Sequence, residues 1–122
     1  MHKVLIVEDD FATAELVKFT LQMKDLAVDI AGDGGIAIKK VRTNTPDLII
    51  LDIMLPTMDG YQVCEIIKHN ILYANIPIIM LSAKVRRDDI SMGIDKGAEE
   101  YITKPFDPNH LLERVMFYLS KK

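Results

Sequence analysis

Four short runs of this chain, each about the length of a β-strand, end in side chains that can do chemistry. The most informative is 48–51, because it is followed by Asp52 and then by a loop that contains Pro56 and Gly60. A carboxylate that follows a buried strand lies where open α/β sheets place their functional groups. The other runs are 4–7, 78–81 and 99–103, and they lead into Glu8 and Asp9, Ser82, and Lys104 respectively. If the four strands lie parallel in one sheet, we expect these groups to share one pocket.

The acidic members of this set, Glu8, Asp9 and Asp52, need a counter-charge if they lie together. Two carboxylates about 4 Å apart repel each other by about 4 kcal/mol at an effective dielectric constant of roughly 20. A proton or a cation removes that cost. Mg²⁺ suits such a site because it binds a few carboxylate oxygens together with water and phosphate. The ammonium of Lys104 adds a second positive charge that suits a phosphate oxygen.

These charges would let Asp52 act as a nucleophile toward a phosphoryl group. Phosphoryl transfer mainly needs positioning and charge neutralisation, so Asp52 can become an aspartyl phosphate while Ser82 donates its hydroxyl to a phosphate oxygen. Each residue taken singly has a simpler interpretation, since acids before a helix often only cap it. The joint position of the set favours the functional interpretation, except for Asp10, which we expect to be only a cap.

The pattern that must position these residues is an alternation of strands and helices. Five runs rich in Val, Ile and Leu alternate with five segments of helical period, which predicts an α/β fold with a doubly wound, five-stranded parallel sheet. The predicted strands are 3–7, 26–30, 47–51, 78–81 and 99–103, and the predicted helices are 11–24, 36–43, 60–70, 87–96 and one that begins at Asp107 and Pro108. We expect the fourth helix to be weak, broken by Gly93 and closed by Gly97.

Helical spacing also predicts which side chains share a face of each helix. Leu16, Phe19 and Met23 are expected on one face of the first helix, and Leu111, Leu112, Val115 and Leu119 on one face of the fifth. On the second helix Ala37 and Val41 are expected to face the sheet, and on the third Val63, Ile66 and Ile67 are expected to point inward.

Length and composition restrict the class of protein. With 122 residues, of which 49% are hydrophobic, the chain is long enough for one compact domain over 1–122 and too short for two. The formal net charge of −3 gives no basic field for direct nucleic-acid binding. The apolar runs are of strand length, so we expect no membrane span and a cytoplasmic location. The single Cys64 is expected to be an apolar filler rather than a nucleophile.

The order and spacing of the polar groups resemble the receiver domain of two-component response regulators, over essentially the whole chain. Any one matching segment is common, but the set in this order is highly specific. The segments are Glu8 and Asp9 after the first strand, Asp52 with Met58, Asp59 and Gly60 after the third, Ser82 and Ala83 after the fourth, and 97–106 around the fifth.

The resemblance implies a role for each site residue. Asp52 would be the phosphoacceptor, phosphorylated from the phosphohistidine of a sensor histidine kinase or phosphotransfer protein. Mg²⁺ would be bound directly by Asp9, Asp52 and the backbone carbonyl of Met54, and by Glu8 through water. Ser82 and Lys104 would contact the phosphoryl group, Tyr101 would be an aromatic switch that turns inward when Ser82 moves, and the Lys104–Pro105 bond would be cis.

The implied output is a phosphorylation-dependent change of the surface formed by the fourth helix, the fifth strand and the fifth helix. Such a change would control a downstream effector protein or domain. The chain is expected to be either a stand-alone receiver or a piece of a longer regulator. Pairing of Glu99 or Glu100 with Arg114 resembles receivers that form a homodimer through this surface on phosphorylation.

Three other classes of protein share parts of this pattern. A haloacid-dehalogenase-like phosphatase also uses an aspartyl nucleophile, but it needs a second acid two residues later, where this chain has Met54. A flavodoxin-like nucleotide or flavin binder is disfavoured because no glycine fingerprint follows the first strand. A receiver that works without phosphorylation is disfavoured because every acceptor-site residue is present. We therefore expect no enzymatic turnover beyond self-phosphorylation and slow autodephosphorylation. Met54 and Lys84 are expected to flank the route by which water reaches the phosphoryl group and hydrolyses it.

Overall fold

A computed structural model describes residues 1–121 and has the alternation of strands and helices that the sequence predicts. Within that range, none of the helices combines the length and the apolar composition that crossing a bilayer requires. The strands are β1 (Lys3–Val7), β2 (Ala27–Ala31), β3 (Leu48–Leu51), β4 (Ile78–Ser82) and β5 (Glu100–Thr103), and the helices are α1 (Phe11–Gln22), α2 (Gly34–Thr43), α3 (Gly60–Lys68), α4 (Arg87–Asp95) and α5 (Pro108–Leu119).

The five strands form one parallel sheet in the order β2-β1-β3-β4-β5. Every residue of β3 and β4 is buried, as expected for central strands that are covered on both faces. The register places Val7 beside Leu51 and Leu51 beside Met80, so these neighbouring strands end at the same level. The polar residues that follow β1, β3 and β4 therefore leave the sheet at one edge.

The core consists of two layers, one on each face of the sheet. Successive strand residues point to opposite faces, so Leu5 and Ile49 pack toward α2 and α3 while Val4 and Ile50 pack toward α1 and α5. The predicted inward sets on α2 and α5 are confirmed, because Ala37, Val41, Leu111, Leu112, Val115 and Leu119 are all buried.

The apolar set predicted on one face of α1 lies on the side turned away from the sheet. Leu16, Phe19 and Met23 are 49%, 67% and 57% exposed, and the sheet is contacted instead by a second set of helical spacing, Ala14, Val17 and Leu21. Both sets repeat at i, i+3 and i+7, so periodicity alone cannot choose between them. On α3, Val63 and Ile67 are buried as predicted, but Ile66 lies on the outer side.

The prediction that Gly93 breaks α4 is also wrong, because the helix continues through this residue to Asp95. A glycine in a helix costs about 1 kcal/mol relative to alanine, which is too little to end a helix that packs against a sheet. Gly93 is buried, and a Cβ placed on it would lie 3.0 Å from Cδ2 of Tyr101 on β5. Gly97 closes the helix just beyond its C-cap Lys96, as predicted, and has the positive φ of 109° that glycine accepts readily.

Several local predictions are confirmed by hydrogen bonds and burial. Asp10 caps α1 by accepting a hydrogen bond from the Thr13 amide at 2.9 Å, and Asp107 caps α5 ahead of Pro108. Cys64 is fully buried on α3, and burial raises the pKa of its thiol to about 11. A buried thiol held in its neutral form is a poor nucleophile, which supports the interpretation of Cys64 as a filler.

Candidate functional site

Three carboxylates, those of Glu8, Asp9 and Asp52, lie together at the carboxyl edge of the sheet. One oxygen of each is within 4.8 Å of the others. The backbone holds two of them in register with the strands, because the Glu8 amide donates to Ala31 and the Asp52 amide donates to Val7, both at 3.0 Å. Glu8 and Asp52 are each only 5% exposed, whereas Asp9 faces solvent. Parallel strands that end level therefore gather the predicted acidic cluster.

The Lys104 ammonium joins this cluster from the far side of the sheet. Its Nζ lies 2.5 Å from Oε1 of Glu8 and 3.2 Å from Oδ2 of Asp52. The Lys104 amide donates to the Ser82 carbonyl at 2.9 Å, which extends the pairing of β4 with β5 up to the site. One cation thus faces three carboxylates, and the sequence prediction that Lys104 reaches the acids is confirmed.

Burial and the neighbouring charges together set the pKa values of Glu8 and Lys104. Burial raises the pKa of Glu8, and the nearby charge of Asp52 acts in the same direction, while the hydrogen bonds from Lys104 and from the Asp10 amide oppose the shift. Burial alone would lower the pKa of Lys104, but its hydrogen bond to Glu8 and the charge of Asp52 together raise it. Lys104 therefore stays cationic, and the site has affinity for a further positive charge.

The loop between β3 and α3 is held tightly beneath Asp52. The Gly60 amide donates to the Ile53 carbonyl at 2.9 Å, and a Cβ on Gly60 would lie 2.2 Å from the Asp52 carbonyl oxygen, so only glycine fits there. The Met54 amide donates to Oδ1 of Asp52 at 3.2 Å. These contacts orient the Asp52 carboxylate before any ligand binds.

The donor set of the site fits a hard divalent cation. Carboxylate oxygens are the ligands that Mg²⁺ prefers, and three of them converge here. Among residues 1–121, no hydrogen-bond donor contacts the carbonyl of Met54, the oxygen that the resemblance to receiver domains implies as a further ligand. A cleft of about 490 Å³, lined by Asp9, Met54 and Lys84 among others, opens the site to solvent.

Ser82 and Tyr101 both contact the backbone of Lys84 beside the site. Ser82 is fully buried at the end of β4, where its Oγ accepts a hydrogen bond from the Lys84 amide at 3.4 Å. The Tyr101 hydroxyl donates to the Lys84 carbonyl at 2.6 Å, and its ring lies against Gly93 of α4. The Lys104–Pro105 bond is cis, as expected.

Sequence reasoning missed two polar contacts, one beside the site and one at the opposite end of the sheet. The Tyr61 hydroxyl, at the start of α3, donates to the Asp89 carbonyl of α4 at 3.0 Å. The Lys68 ammonium is buried and binds Glu99 at 2.8 Å together with the Ala74 and Ile76 carbonyls. The Tyr61–Asp89 and Lys68–Glu99 contacts join residues 28 and 31 positions apart, so no local pattern could have shown them.

The ion pair expected of Arg114 forms within the chain. Of the two candidate partners, Glu100 accepts from the Arg114 side chain at 2.8 Å, whereas Glu99 is bound by Lys68. The Tyr118 hydroxyl also donates to Glu100, at 2.8 Å. Glu100 of β5 and Arg114 of α5 are thus paired inside one molecule.

Comparisons with known proteins agree with this geometry. The chain matches the response regulator receiver domain family over residues 4–116. It is 39% identical over 120 residues to the DNA-binding response regulator MtrA of Mycobacterium tuberculosis (strain ATCC 25618 / H37Rv), a match that covers 98% of this chain and 51% of that protein. The chain spans about half the length of the curated relatives it matches.

Solved receiver structures share the whole fold. The receiver domain of the Francisella response regulator 1452 superposes with a TM-score of 0.91 at 30% identity, covering 99% of this chain and 98% of that one. The BeF3-activated DrrB receiver domain superposes with a TM-score of 0.90 at 30% identity, covering 98% of each chain. The chain therefore belongs to the response regulator receiver domain family of two-component systems.

Proposed function

We propose that this chain is a phosphorylation-dependent signalling switch in which Asp52 accepts a phosphoryl group from the phosphohistidine of a sensor histidine kinase or phosphotransfer protein. The observation that supports this most strongly is the convergence of the buried Asp52 carboxylate with Glu8, Asp9 and the Lys104 ammonium. A carboxylate held in this way has both the nucleophilic oxygen and the neighbouring positive charge that phosphoryl transfer needs.

The proposed step is a direct transfer between the donor and Asp52. An Asp52 oxygen forms a bond to phosphorus while the phosphorus–nitrogen bond of the donor breaks, and its electron pair returns to the imidazole. Asp9, Asp52 and the Met54 carbonyl would hold Mg²⁺ directly, and Glu8 would hold it through a water molecule. The bound ion would neutralise the negative charge on the oxygens of the phosphoryl group. Lys104 moves its hydrogen bond from Asp52 to one phosphoryl oxygen, and the Ser82 hydroxyl donates to another.

Receiver domains are regulatory, and we propose that this one performs no turnover beyond self-phosphorylation and slow autodephosphorylation. Incubation of the chain with Mg²⁺ and a small acyl phosphate should add one phosphoryl group per chain, as read by intact-mass spectrometry. A generic phosphate ester in a steady-state assay should give no sustained release of phosphate. Multiple turnovers would instead favour the haloacid-dehalogenase-like alternative, which Met54 disfavours because a thioether cannot act as a general acid or base.

The proposed output is a change in the surface of α4, β5 and α5, which controls a downstream effector protein or domain. The Tyr101 hydroxyl already links β5 to the loop before α4, so a movement of Ser82 or Lys84 would reach this surface. MtrA is named a DNA-binding response regulator, but the net charge of −3 supports no direct nucleic-acid contact by this chain. We also propose a cytoplasmic location, since a single, unpaired cysteine suits a reducing compartment.

A homodimer formed on phosphorylation stays a prediction. Arg114 is paired with Glu100 within the chain, so a dimer through α4, β5 and α5 would have to share or exchange this ion pair. Sedimentation velocity with and without an acyl phosphate tests the proposal, and an unchanged monomer contradicts it.

The phosphoryl group on Asp52 should be lost slowly, because Met54 lines the cleft and has no side-chain group that can orient the attacking water. The substitution Met54→Asn supplies an amide at this position. A hydrogen bond that stabilises the hydrolytic transition state by about 1.4 kcal/mol accelerates the reaction about tenfold. We therefore expect dephosphorylation of Met54→Asn to be about tenfold faster than that of the wild type, as measured by loss of the labelled species with time.

A matched control is Met23→Asn. Met23 and Met54 are both 57% exposed, but Met23 follows α1 and does not line the cleft. Its substitution should leave the rate unchanged. A Met54→Asn rate equal to the wild-type rate contradicts the proposal that the side chain at this position controls hydrolysis.

A further inference from the structure

Helix α4 is attached to the rest of the domain by few apolar contacts. Its one buried residue is Gly93, which has no side chain to anchor it, and Met92 and Ile94 are each nearly half exposed. Segments with little apolar burial open locally at a lower free energy than the core. The position of α4 therefore depends on the polar contacts that hold it.

One face of α3 provides three of those contacts. Tyr61, Cys64 and Glu65 have the i, i+3 and i+4 spacing of a helix face. The Tyr61 hydroxyl donates to the Asp89 carbonyl at 3.0 Å, the Cys64 sulfur lies 3.5 Å from the Lys96 carbonyl, and Glu65 pairs with the Lys96 ammonium at 2.9 Å. A thiol is a weak donor and a half-exposed ion pair stabilises little, so the Tyr61 hydroxyl is the strongest of the three.

The acceptor of this hydrogen bond is in the first turn of α4. A helical carbonyl has two lone pairs, so Asp89 can accept the Gly93 amide within the helix and the Tyr61 hydroxyl from outside it. Burial raises the pKa of Tyr61 to about 12, so the phenol remains a donor at neutral pH. Tyr61 thus binds the backbone of α4 and needs no particular side chain on that helix.

Tyr61 is also connected directly to the phosphoacceptor loop. It follows Gly60, whose amide is bound to the Ile53 carbonyl and whose Cα packs so closely on Asp52 that no side chain fits between them. The Tyr61 ring lines the same cleft as Asp9 and Met54. A displacement of the Asp52 loop on ligand binding would therefore be carried to the hydroxyl through two residues of a tightly packed turn.

We propose that Tyr61 is a positioning residue that couples the Asp52 loop to α4 through its hydrogen bond to the Asp89 carbonyl. This coupling rests on the proposed function, since the ligand at Asp52 is a phosphoryl group. It is separate from the contact of Tyr101, which comes from β5 and reaches Lys84 in the loop before the helix. Two hydroxyl groups thus hold the start of α4, one from the output strand and one from the acceptor loop.

The test compares the wild type with Tyr61→Phe, which removes only the hydroxyl oxygen. Amide hydrogen exchange is followed in peptides covering 87–96, with and without Mg²⁺ and beryllofluoride as a phosphoryl analogue. Loss of one net hydrogen bond should accelerate exchange in α4 about fivefold without the analogue. In addition, the change that the analogue causes in α4 of the wild type should be largely lost in the variant. Tyr118→Phe is the matched control, because it removes a hydroxyl that binds Glu100 and leaves α4 untouched.

The two parts of the experiment separate the outcomes. Unchanged exchange of α4 in Tyr61→Phe overturns the proposal. Faster exchange combined with a full wild-type response to the analogue also overturns it, since Tyr61 would then only support the helix. Absence of any response of α4 in the wild type rejects the coupling together with the proposed change of the α4, β5 and α5 surface, whereas phosphorylation of Asp52 is tested separately by covalent labelling with an acyl phosphate. The ligand-free comparison then decides whether the hydroxyl holds α4.

Discussion

Substitution of Asp52 with asparagine is expected to reduce covalent labelling by an acyl phosphate in Mg²⁺ from about one phosphoryl group per chain to background. The amide is uncharged and is not a nucleophile toward phosphorus. It also removes one of the three carboxylates that would hold the cation. The fold should persist, because asparagine has nearly the same shape and the Asp52 amide would still donate to the Val7 carbonyl. Intact-mass spectrometry after a fixed exposure measures the result, and circular dichroism confirms that the variant is folded.

A matched control for this experiment is Asp10→Asn. Asp10 belongs to the same run of three acids as Glu8 and Asp9, but its carboxylate caps α1 through the Thr13 amide and is not part of the cluster. Asparagine is as good an N-cap as aspartate, so both stability and labelling should be retained. Wild-type stoichiometry in Asp52→Asn would reject Asp52 as the acceptor, and peptide mapping would then show which residue carries the group.

Substitution of Lys104 with methionine should have opposite effects on stability and on metal affinity. The Lys104 ammonium is the cation that Glu8 and Asp52 contact in the described chain, and both carboxylates are buried. Removal of one partner of a buried ion pair leaves an uncompensated charge and costs about 3 kcal/mol. The free energy of unfolding in a chelator should therefore fall by about this amount.

The same substitution should strengthen Mg²⁺ binding. Lys104 competes with the cation for the carboxylates, so its loss leaves a site with more negative charge and no internal counter-ion. We expect Mg²⁺ to bind about tenfold more tightly, which corresponds to about 1.4 kcal/mol, and Tm to rise more on addition of Mg²⁺ than in the wild type. Labelling by an acyl phosphate should nevertheless be lost or strongly reduced, because no ammonium remains to bind the phosphoryl oxygen.

Lys68→Met is the matched control for Lys104→Met. Lys68 is also a buried lysine paired with a glutamate, but Glu99 and the carbonyls it binds are at the opposite end of β5 from the carboxylate cluster. Its loss should lower stability without changing Mg²⁺ affinity. Equal Mg²⁺ affinities of Lys104→Met and the wild type in titration calorimetry would contradict the prediction that the Lys104 ammonium competes with Mg²⁺ for the carboxylates.

The location of the candidate site could be predicted because it depends on few assumptions. Glu8, Asp9, Asp52 and Lys104 each follow a strand and Ser82 is the last residue of one, and a parallel sheet places the ends of neighbouring strands at one edge. The order of these residues along the chain and the lengths of the strands are therefore enough to predict that they lie together. Local signals were equally reliable, since the caps at Asp10 and Asp107 depend on hydrogen bonds that span only two or three residues.

The orientation of the helices could not be predicted in the same way. Two sets of apolar residues on α1 have equal spacing, and the set that packs is the one with the smaller residues Ala14 and Val17. Which set packs depends on how closely the helix approaches the sheet, a distance that the rest of the fold imposes. The role of Gly93 cannot be predicted for a related reason, because the space that its missing side chain leaves is filled by Tyr101 from a different element.

The sequence by itself determined the α/β alternation, the residues at the strand ends and hence the family and its acidic site. Only the tertiary structure decided that Lys104 pairs with Glu8 as well as with Asp52. It also decided that Glu99 pairs with Lys68 and not with Arg114, and that the Tyr61 hydroxyl binds the Asp89 carbonyl. The physical reason is the range of the interactions. Periodicity and capping act within a few residues, whereas these contacts join groups 28 to 96 positions apart and exist only after the helices have packed.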